Sequence, residues 1–366
     1  MSDNNMNEHF CDPRFVAVFA KAPLQLASRA SKLALLQTEQ VAHRLNAHEA
    51  LPIATRISGF TTQGDAIKQH RLTAYGGKGL FVRQLEKRLL AGKCDAAVHS
   101  GKDMETTLAT GTCIASVLPR GDRRDALVGA HASIDALPEG AVIGTASVRR
   151  TALLRSIRPD LEVRLLRGNV PSRLQALKDG KYDAIILAKA GLDRLGISRD
   201  VHPISSDIML PAAAQGAIVV QALASPGDTK ANAMPSTTPN TIPSTTPNAI
   251  PAATAKRTQS VLSVLTAIDD PASRLEVMAE RKILAALDGS CQTPIAACAE
   301  VVAGDANKIR LRACISSRDG REQYSDDQLV AKTDALATAE DLARTLLARA
   351  GGRKFLYAPA NDFDPD

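Results

Sequence analysis

The chain has 366 residues, enough for about two or three domains with their own buried cores. Apolar residues make up 45% of it, but aromatic residues make up only 3% and Trp is absent, so the cores must be aliphatic. The formal net charge of +6 favours anionic partners. The scarcity of aromatic rings argues against a nucleic-acid cleft, which adds stacking platforms to its positive charge.

The start of the chain and its cysteines indicate a cytoplasmic protein. Residues 1–12 are polar and acidic and lack the apolar core of a secretory signal. No stretch approaches the roughly 20 apolar residues of a membrane span. The six cysteines show no CxxC spacing and no partnership with His, so we expect most of them to be reduced core residues and none to form a metal site.

From about residue 22 to residue 224, short apolar strands alternate with amphipathic helices. Strands are predicted at 25–28, 53–58, 95–99, 126–129, 141–145, 162–166 and 183–188, and helices at 31–46 and 79–91 among others. This alternation predicts an α/β protein whose sheets are largely parallel and covered by helices. In such folds, ligands bind at the carboxyl ends of the strands.

Residues 225–257 differ from the rest of the chain. The segment Met234–Asn240 recurs as Ile242–Asn248, and prolines at every fourth position exclude helix and regular strand pairing. We predict a flexible insertion there. A small α+β domain is predicted after it, with a helix at 272–288, strands at 295–302 and 308–316, and a closing helix at 338–350 with Thr338 as N-cap.

The segment Gly144–Arg150 is the most informative motif. It joins a predicted strand to a helix, so free backbone N–H groups and the hydroxyls of Thr145 and Ser147 converge at the helix start. Arg149 and Arg150 add forked cationic donors. This combination predicts a receptor for a carboxylate or a phosphate. The alternative is a capped helix beside two solvated arginines.

Four further polar clusters lie in loops, most of them where a predicted strand ends. They are Ala27–Ser31 with Arg29 and Ser31, Thr62–Gly79 with Lys78, Ala96–Asp103 with Ser100, Lys102 and Asp103, and Leu166–Arg173 with Arg167 and Arg173. The glycines of the second cluster predict a mobile lid, residues 62–78, rather than a phosphate loop. In the third cluster, a carboxylate beside a lysine can stabilise a developing cation or relay a proton; the alternative is an exposed ion pair.

Several cationic turns at strand ends predict one shared cleft, because coincidence explains a single turn easily and several poorly. The arginines concerned are Arg29, Arg149, Arg150, Arg167 and Arg173, which favour a ligand with several carboxylates. His99 ends an apolar strand, so we expect a satisfied core histidine rather than a catalytic one.

The order and spacing of these motifs resemble the porphobilinogen deaminase (hydroxymethylbilane synthase) family from about residue 24 to about residue 355, apart from the insertion. The matching segments are Gly76–Phe81, Val98–Ser100 with Lys102 and Asp103, Gly144–Arg150, Leu166–Val170, Tyr182–Gly196, Leu210–Pro211 with Gln215–Ala217, and Gly289–Ile295. The resemblance implies two α/β domains around a cleft, built like periplasmic binding proteins, and a small α+β third domain. The corresponding boundaries are 22–118 with about 212–224, then 119–211, and finally 268–355.

The resemblance also implies a covalent dipyrromethane cofactor, joined by a thioether to Cys291, and a monomeric enzyme. Asp103 matches the family's catalytic aspartate. The positions that match the cofactor site are Ser100, Lys102, Thr145, Ser147, Arg149, Arg150 and Arg173. The positions that match the substrate site are Arg29, Ser31, Gln37, Arg167 and Arg173, and Lys78 matches the mobile loop.

The chemistry that the resemblance implies agrees with these residue types. Porphobilinogen carries an acetate, a propionate and an aminomethyl group, and loss of ammonia leaves a cationic azafulvene that the Asp103 carboxylate can stabilise. Each added ring brings more carboxylates, so many arginines are expected; after four additions, water releases the linear tetrapyrrole. Two alternatives stay open: a non-catalytic anion-binding protein on the same scaffold, and a basic nucleic-acid-binding module.

Four positions depart from the family's usual pattern. Gly101 stands in place of Leu or Met, and Glu105, Lys32 and Arg123 each stand in place of Pro. Gly101, which has more backbone freedom, and Glu105, which is charged, each lie two positions from Asp103 in the sequence. We therefore expect these two residues to affect the catalytic loop.

Overall fold

The computed structural model describes residues 18–20, 22–47, 53–61, 82–225, 252–287, 289 and 293–358. The predicted lid with Lys78, the predicted attachment residue Cys291 and most of the predicted insertion lie outside these ranges. The described residues form two sheets of five strands and one sheet of three strands.

In chain order, the strands are β1 (Leu24–Arg29), β2 (Thr55–Phe60), β3 (Ala96–Ser100), β4 (Thr112–Val117), β5 (Asp125–Gly129), β6 (Val142–Thr145), β7 (Glu162–Leu165), β8 (Ala184–Ala188), β9 (Val201–Pro203), β10 (Ile218–Leu223), β11 (Ile295–Val301), β12 (Lys308–Ser316) and β13 (Gln323–Ala331). The helices are α1 (Lys32–Asn46), α2 (Arg83–Leu90), α3 (Val148–Ile157), α4 (Val170–Lys178), α5 (Lys189–Arg194), α6 (Ala252–Thr266), α7 (Pro271–Ala286), α8 (Ala335–Arg349) and α9 (Lys354–Tyr357).

The two five-stranded sheets share one topology. The first has the order β2-β1-β3-β10-β4, and the second has the order β7-β6-β8-β5-β9. In both sheets the first three strands are parallel, and the fourth runs antiparallel to its two neighbours. Because β5 follows β4 directly and β10 follows β9, two chain segments cross between two similar α/β units. This arrangement confirms the predicted fold class.

The prediction of largely parallel sheets is wrong for half of the strand pairs. Each sheet has two parallel pairs and two antiparallel pairs. A helical crossover returns the chain to the same end of a sheet, which makes the neighbouring strands parallel. The strands β5 and β10 instead enter from the other unit, so no helical crossover sets their direction.

The predicted flexible insertion does not extend to residue 257. The helix α6 begins at Ala252, directly after the last proline of the repeat, because an alanine-rich run without proline can form a helix. Val261, Val264 and Leu265 of this helix pack into the core of the first sheet. The guanidinium of Arg257 donates to both carboxylate oxygens of Asp95 at 2.6 Å.

The third unit is an antiparallel sheet, β11-β12-β13, packed against α7 and α8. Its first two strands and both helices lie where they were predicted, whereas β13 was missed. The prediction of Thr338 as an N-cap is wrong, because α8 already begins at Ala335 and Asp334 is its N-cap residue. The residues Ala335–Ala337 are strong helix formers and extend the helix towards its start.

A buried ionic cluster joins the third unit to the crossing segments. Arg120 donates to the two carboxylate oxygens of Glu280 at 2.8 and 2.9 Å, and Arg123 donates to Glu276 at 3.0 Å. Glu280 is fully buried and also accepts from the backbone N–H groups of Ala214 and Ala299 at 2.6 and 2.7 Å. Arg123, which replaces a usual proline, thus contacts the third unit.

We expect Glu280→Ala to lower the free energy of unfolding by about 3–5 kcal/mol, because it removes the two-oxygen partner of buried Arg120 and the acceptor of two buried N–H groups. Arg120 then keeps only its 3.4 Å contact with Glu276. The midpoint of urea unfolding measures this loss. The matched control is Asp327→Ala, which removes an exposed partner of Arg310 and should cost less than about 1 kcal/mol. Equal midpoints for the two variants would contradict a structural role for the cluster.

Candidate active site

Asp103 lies at the carboxyl end of a buried strand. The strand β3 ends in a single 3-10 turn, Gly101–Asp103, whose first N–H donates to the Ala217 carbonyl at 2.9 Å. The side chain of Asp103 is one-third exposed, and its Oδ2 lies 3.5 Å from Arg29 Nη1. The predicted alternative of a Lys102–Asp103 ion pair does not describe this turn, because Lys102 Nζ donates to Gln215 Oε1 at 3.3 Å.

A pocket opens at the start of α1 and the end of β3. Six residues predicted for the site line it: Arg29, Ser31, Gln37, Ser100, Lys102 and Asp103. The hydroxyl of Ser100 donates to Gln37 Oε1 at 3.0 Å. Ser31 is the N-cap of α1 and accepts from the Ala34 N–H at 3.4 Å. The end of β1 with the start of α1, and the turn after β3, therefore meet beside Asp103. Of the five arginines predicted to share one cleft, Arg29 lines this pocket, whereas Arg149, Arg150, Arg167 and Arg173 do not.

His99 is a buried core residue, as expected. Its Nε2 lies 3.0 Å from Gln221 Oε1, on the neighbouring strand β10. Burial lowers the pKa of His99 to about 4, against the opposing effect of the hydrogen bond to Gln221. The imidazole is therefore neutral near pH 7, and no catalytic role follows from its position.

The motif Gly144–Arg150 forms the predicted strand-to-helix turn between β6 and α3. The hydroxyl of Thr145 accepts from the Ser147 N–H at 3.2 Å, and the hydroxyl of Ser147 accepts from the Arg150 N–H at 3.4 Å. Both hydroxyls thus serve the helix start, as the capping alternative proposed. The two arginines of the motif are buried rather than solvated.

Arg149 and Arg150 share an internal carboxylate that the sequence analysis did not identify. Arg149 Nη2 donates to Asp125 Oδ2 at 2.7 Å, and Arg150 Nη2 donates to Asp125 Oδ1 at 2.7 Å. Burial alone would raise the pKa of Asp125, but the two guanidinium groups hold it well below its ordinary value. The single negative charge of Asp125 is therefore shared by Arg149 and Arg150, so the three side chains together carry a net positive charge.

The second unit places one further predicted arginine, Arg173, where it interacts electrostatically with Asp103. Arg173 lies in the first turns of α4, where its Nε donates to the Gly168 carbonyl at 2.8 Å. Burial lowers the pKa of Arg173 to about 10, and the nearby charges of Arg150, Arg167 and Arg29 act in the same direction, whereas Asp103 opposes them. Arg29 of the first unit and Arg173 of the second unit thus both interact with the charge of Asp103.

Gly101 and Glu105 both contact distant segments of the chain. A Cβ atom at Gly101 would lie 3.0 Å from both the Cβ atom and the carbonyl oxygen of Ala214, so the turn approaches its neighbour closely. The carbonyl of Glu105 accepts from Arg281 Nη2 at 2.8 Å. Burial lowers the pKa of Arg281 to about 10, and the charge of Glu105 opposes that shift. The added charge of Glu105 therefore has a buried cation of the third unit beside it.

The described ranges contain neither a cluster of metal-binding side chains nor a membrane-spanning helix. No group of three or more His, Cys, Asp and Glu side chains there is placed to hold a metal ion. No helix within those ranges has the length and hydropathy to cross a membrane. The fold and the site together define a protein of two similar α/β units and a smaller third unit, in which the partly exposed carboxylate of Asp103 interacts with Arg29 and Arg173.

Comparison with known proteins identifies the family. Residues 24–231 match the family model "Porphobilinogen deaminase, dipyromethane cofactor binding domain", and residues 274–350 match "Porphobilinogen deaminase, C-terminal domain". A porphobilinogen deaminase of Nitrobacter winogradskyi is 40% identical over 339 residues, which cover 92% of this chain and 96% of that protein. One from Paracoccus denitrificans is 41% identical over 345 residues, covering 93% and 96%. The chain belongs to the porphobilinogen deaminase family, which confirms the resemblance.

Solved structures to which this chain has some similarity include periplasmic binding domains. A periplasmic substrate-binding protein of an ABC transporter from Coxiella burnetii has a TM-score of 0.36 and 13% identity, covering 69% of this chain and 94% of that one. The periplasmic VFT2 domain of BvgS from Bordetella pertussis has a TM-score of 0.34 and 14% identity, covering 58% and 86%.

Proposed function

We propose that the pocket around Asp103 is the active site at which this chain acts as a hydroxymethylbilane synthase. The enzyme deaminates porphobilinogen, joins four of its rings head to tail and releases the linear tetrapyrrole by hydrolysis. The observation that carries the proposal is a single partly exposed carboxylate, Asp103, within reach of cations from both units. A substrate with two carboxylates and a departing amine matches that charge pattern.

Asp103 is the catalytic residue in this proposal. When ammonia leaves the substrate, positive charge develops on the ring, and a fixed carboxylate stabilises it. Arg29, at 3.5 Å, orients that carboxylate from β1. The same carboxylate, one-third exposed at the strand end, can accept the proton that the attacking pyrrole carbon loses after the new carbon–carbon bond has formed.

The residues around Asp103 fit a covalent dipyrromethane. Lys102 is half-buried, and burial together with Arg150 lowers its pKa to about 8, so this corner holds more positive charge than the protein itself neutralises. Ser100, Lys102 and Arg173 would bind the carboxylates of the group, within the positive field of the turn at Thr145, Ser147, Arg149 and Arg150. When bound, the group supplies a nucleophilic pyrrole carbon. Cys291 is its proposed attachment residue.

We propose that residues of the pocket, of the second unit and of the predicted mobile loop bind the substrate. Arg29, Arg167 and Arg173 would hold the acetate and propionate groups, and Ser31 and Gln37 would add hydrogen bonds. Lys78 is proposed to act from the mobile loop. Arg29 and Gln37 line the pocket with Asp103, which supports their assignment.

We also propose the domain boundaries, the cellular location and the oligomeric state of the enzyme. Its domains would span 22–118 with 212–224, then 119–211, and finally 268–355, and the packing of α6 on the first sheet supports adding residues 252–266 to the first domain. We propose a cytoplasmic monomer that binds neither nucleic acid nor membrane. The aromatic content of 3% supports the exclusion of nucleic acid.

We expect Arg173→Met to lower kcat/KM for porphobilinogen by about tenfold or more, because it removes a charged donor from the cleft while keeping an apolar stem. Initial rates of porphobilinogen consumption measure the change. Arg164→Met is the matched control, since Arg164 is an exposed arginine of the same unit paired with Glu162. A loss of the same size in both variants would contradict the assignment of Arg173 to the site.

A further inference from the structure

Gln215 lies where the two crossing segments meet. Its backbone carbonyl accepts from Arg120 Nε at 2.9 Å, and the next carbonyl, that of Gly216, accepts from the Gly121 N–H at 3.2 Å. Gly216 has a φ of +88°, and a Cβ atom there would lie 2.7 Å from the Gly121 carbonyl oxygen. The backbone around Gln215 is therefore held closely at the junction of the two units.

The side chain of Gln215 is fully buried and links both units. Its Nε2 donates to the Arg123 carbonyl and to Asp125 Oδ1, both at 2.9 Å, and its Oε1 accepts from Lys102 Nζ at 3.3 Å. Because the two groups facing Nε2 can only accept, the amide oxygen must face the ammonium group. One amide thus connects the turn of Asp103 with the carboxylate beneath Arg149 and Arg150.

The hydrogen bond to Gln215 leaves the positive charge of Lys102 without a paired carboxylate. No carboxylate oxygen among the described residues lies within the 4.0 Å of an ion pair from Lys102 Nζ. Asp125 instead forms ion pairs with Arg149 and Arg150. The charged groups facing Lys102 are Arg149 and Arg150 from α3, Asp125 from β5, and the adjacent Asp103. The Lys102 ammonium group is therefore held by a neutral acceptor, and its positive charge can bind an anionic ligand.

We propose that Gln215 is a positioning residue that holds Lys102 in the cleft without neutralising it and separates it from Asp125. This inference rests on the proposed role of Lys102 in binding carboxylates. Gln215 does not line the pocket. It therefore affects the reaction indirectly, through its hydrogen bonds with Lys102 and with Asp125, the partner of Arg149 and Arg150.

The pH dependence of kcat/KM tests this role, because kcat/KM reports groups that titrate in the free enzyme. Lys102 binds carboxylates only when protonated, so kcat/KM should fall above about pH 8. Gln215→Glu places a carboxylate against Lys102 and should move this alkaline decline to higher pH by about one unit, with a higher KM. Gln215→Met removes the acceptor and should move the decline to lower pH, with kcat/KM reduced about tenfold.

Gln221→Met is the matched control. Gln221 is equally buried and also makes three side-chain hydrogen bonds, to His99, Glu86 and Thr112, but it lies away from Lys102. It should lower thermal stability without moving the alkaline decline. Gln215 variants that behave like Gln221→Met would overturn the inference, and each Gln215 variant tests it separately if the other does not fold. Lys102→Met tests the underlying role: an unchanged decline there would refute the role of Lys102 itself.

Discussion

Asp103→Asn is expected to lower kcat for porphobilinogen by about a thousandfold or more while leaving KM unchanged or lower. The amide has the shape of the carboxylate but no charge, so the cation that develops as ammonia leaves loses its stabilising partner. Removal of the Asp103 carboxylate from a cluster that includes Arg29 and Arg173 makes the cleft more positive, which favours substrate carboxylates. A fall in kcat without a rise in KM marks an interaction made only in the transition state.

The fold of this variant should be retained, because Asp103 is partly exposed and is held by a 3.5 Å contact rather than by a buried pair. Its midpoint of thermal unfolding should therefore match that of the unchanged protein. Asp122→Asn, which alters a surface carboxylate paired with Arg124, is the matched control and should turn over normally. Near-normal kcat in Asp103→Asn would remove Asp103 from its proposed role.

Cys291→Ser is expected to abolish turnover altogether, since a serine hydroxyl cannot form the thioether that anchors the proposed primer. Every ring addition needs that anchor, so the loss should exceed the loss in any variant of the arginine cluster. Initial rates of porphobilinogen consumption and the yield of linear tetrapyrrole measure the effect.

Cys94→Ala is the matched control for Cys291→Ser. Cys94 is buried beside the first sheet, and burial raises the pKa of its thiol to about 11, so it stays protonated and unreactive near pH 7. This control should retain both the cofactor and turnover. A Cys291→Ser variant that still makes the tetrapyrrole would show that the primer is attached elsewhere or is not needed.

The elements with local signals could be predicted from the sequence, and the strand directions could not. Apolar runs and helical periodicity located β1, β3 and α1 to within one or two residues. The strand β10 pairs with β3 and β4, which lie about a hundred residues earlier in the chain, so nothing near Ile218–Leu223 indicates its partner or its direction. The insertion was predicted to end at residue 257, whereas α6 already begins at Ala252. The proline repeat is easily recognised in the sequence, but the start of the helix after it is not.

The same distinction applies to the site. Strand ends with hydroxyls and arginines are visible in the sequence, and the pocket residues Arg29, Ser100 and Asp103 were found in this way. Asp125 and Gln215 were not, because each is a single polar residue beside an apolar strand and gains its role only from partners on distant segments. The short charged run Arg120–Asp125, placed between two strands, was the available signal.

The intact mass of the purified protein, taken from cells that make porphobilinogen, tests the central claim most directly. The unchanged protein should exceed its sequence mass by two linked pyrrole units, and brief exposure to substrate should add further units in steps of one ring. Cys291→Ser should show the sequence mass alone, whereas Asp103→Asn should add no rings. An unchanged protein at its bare sequence mass, before and after substrate, would contradict the account.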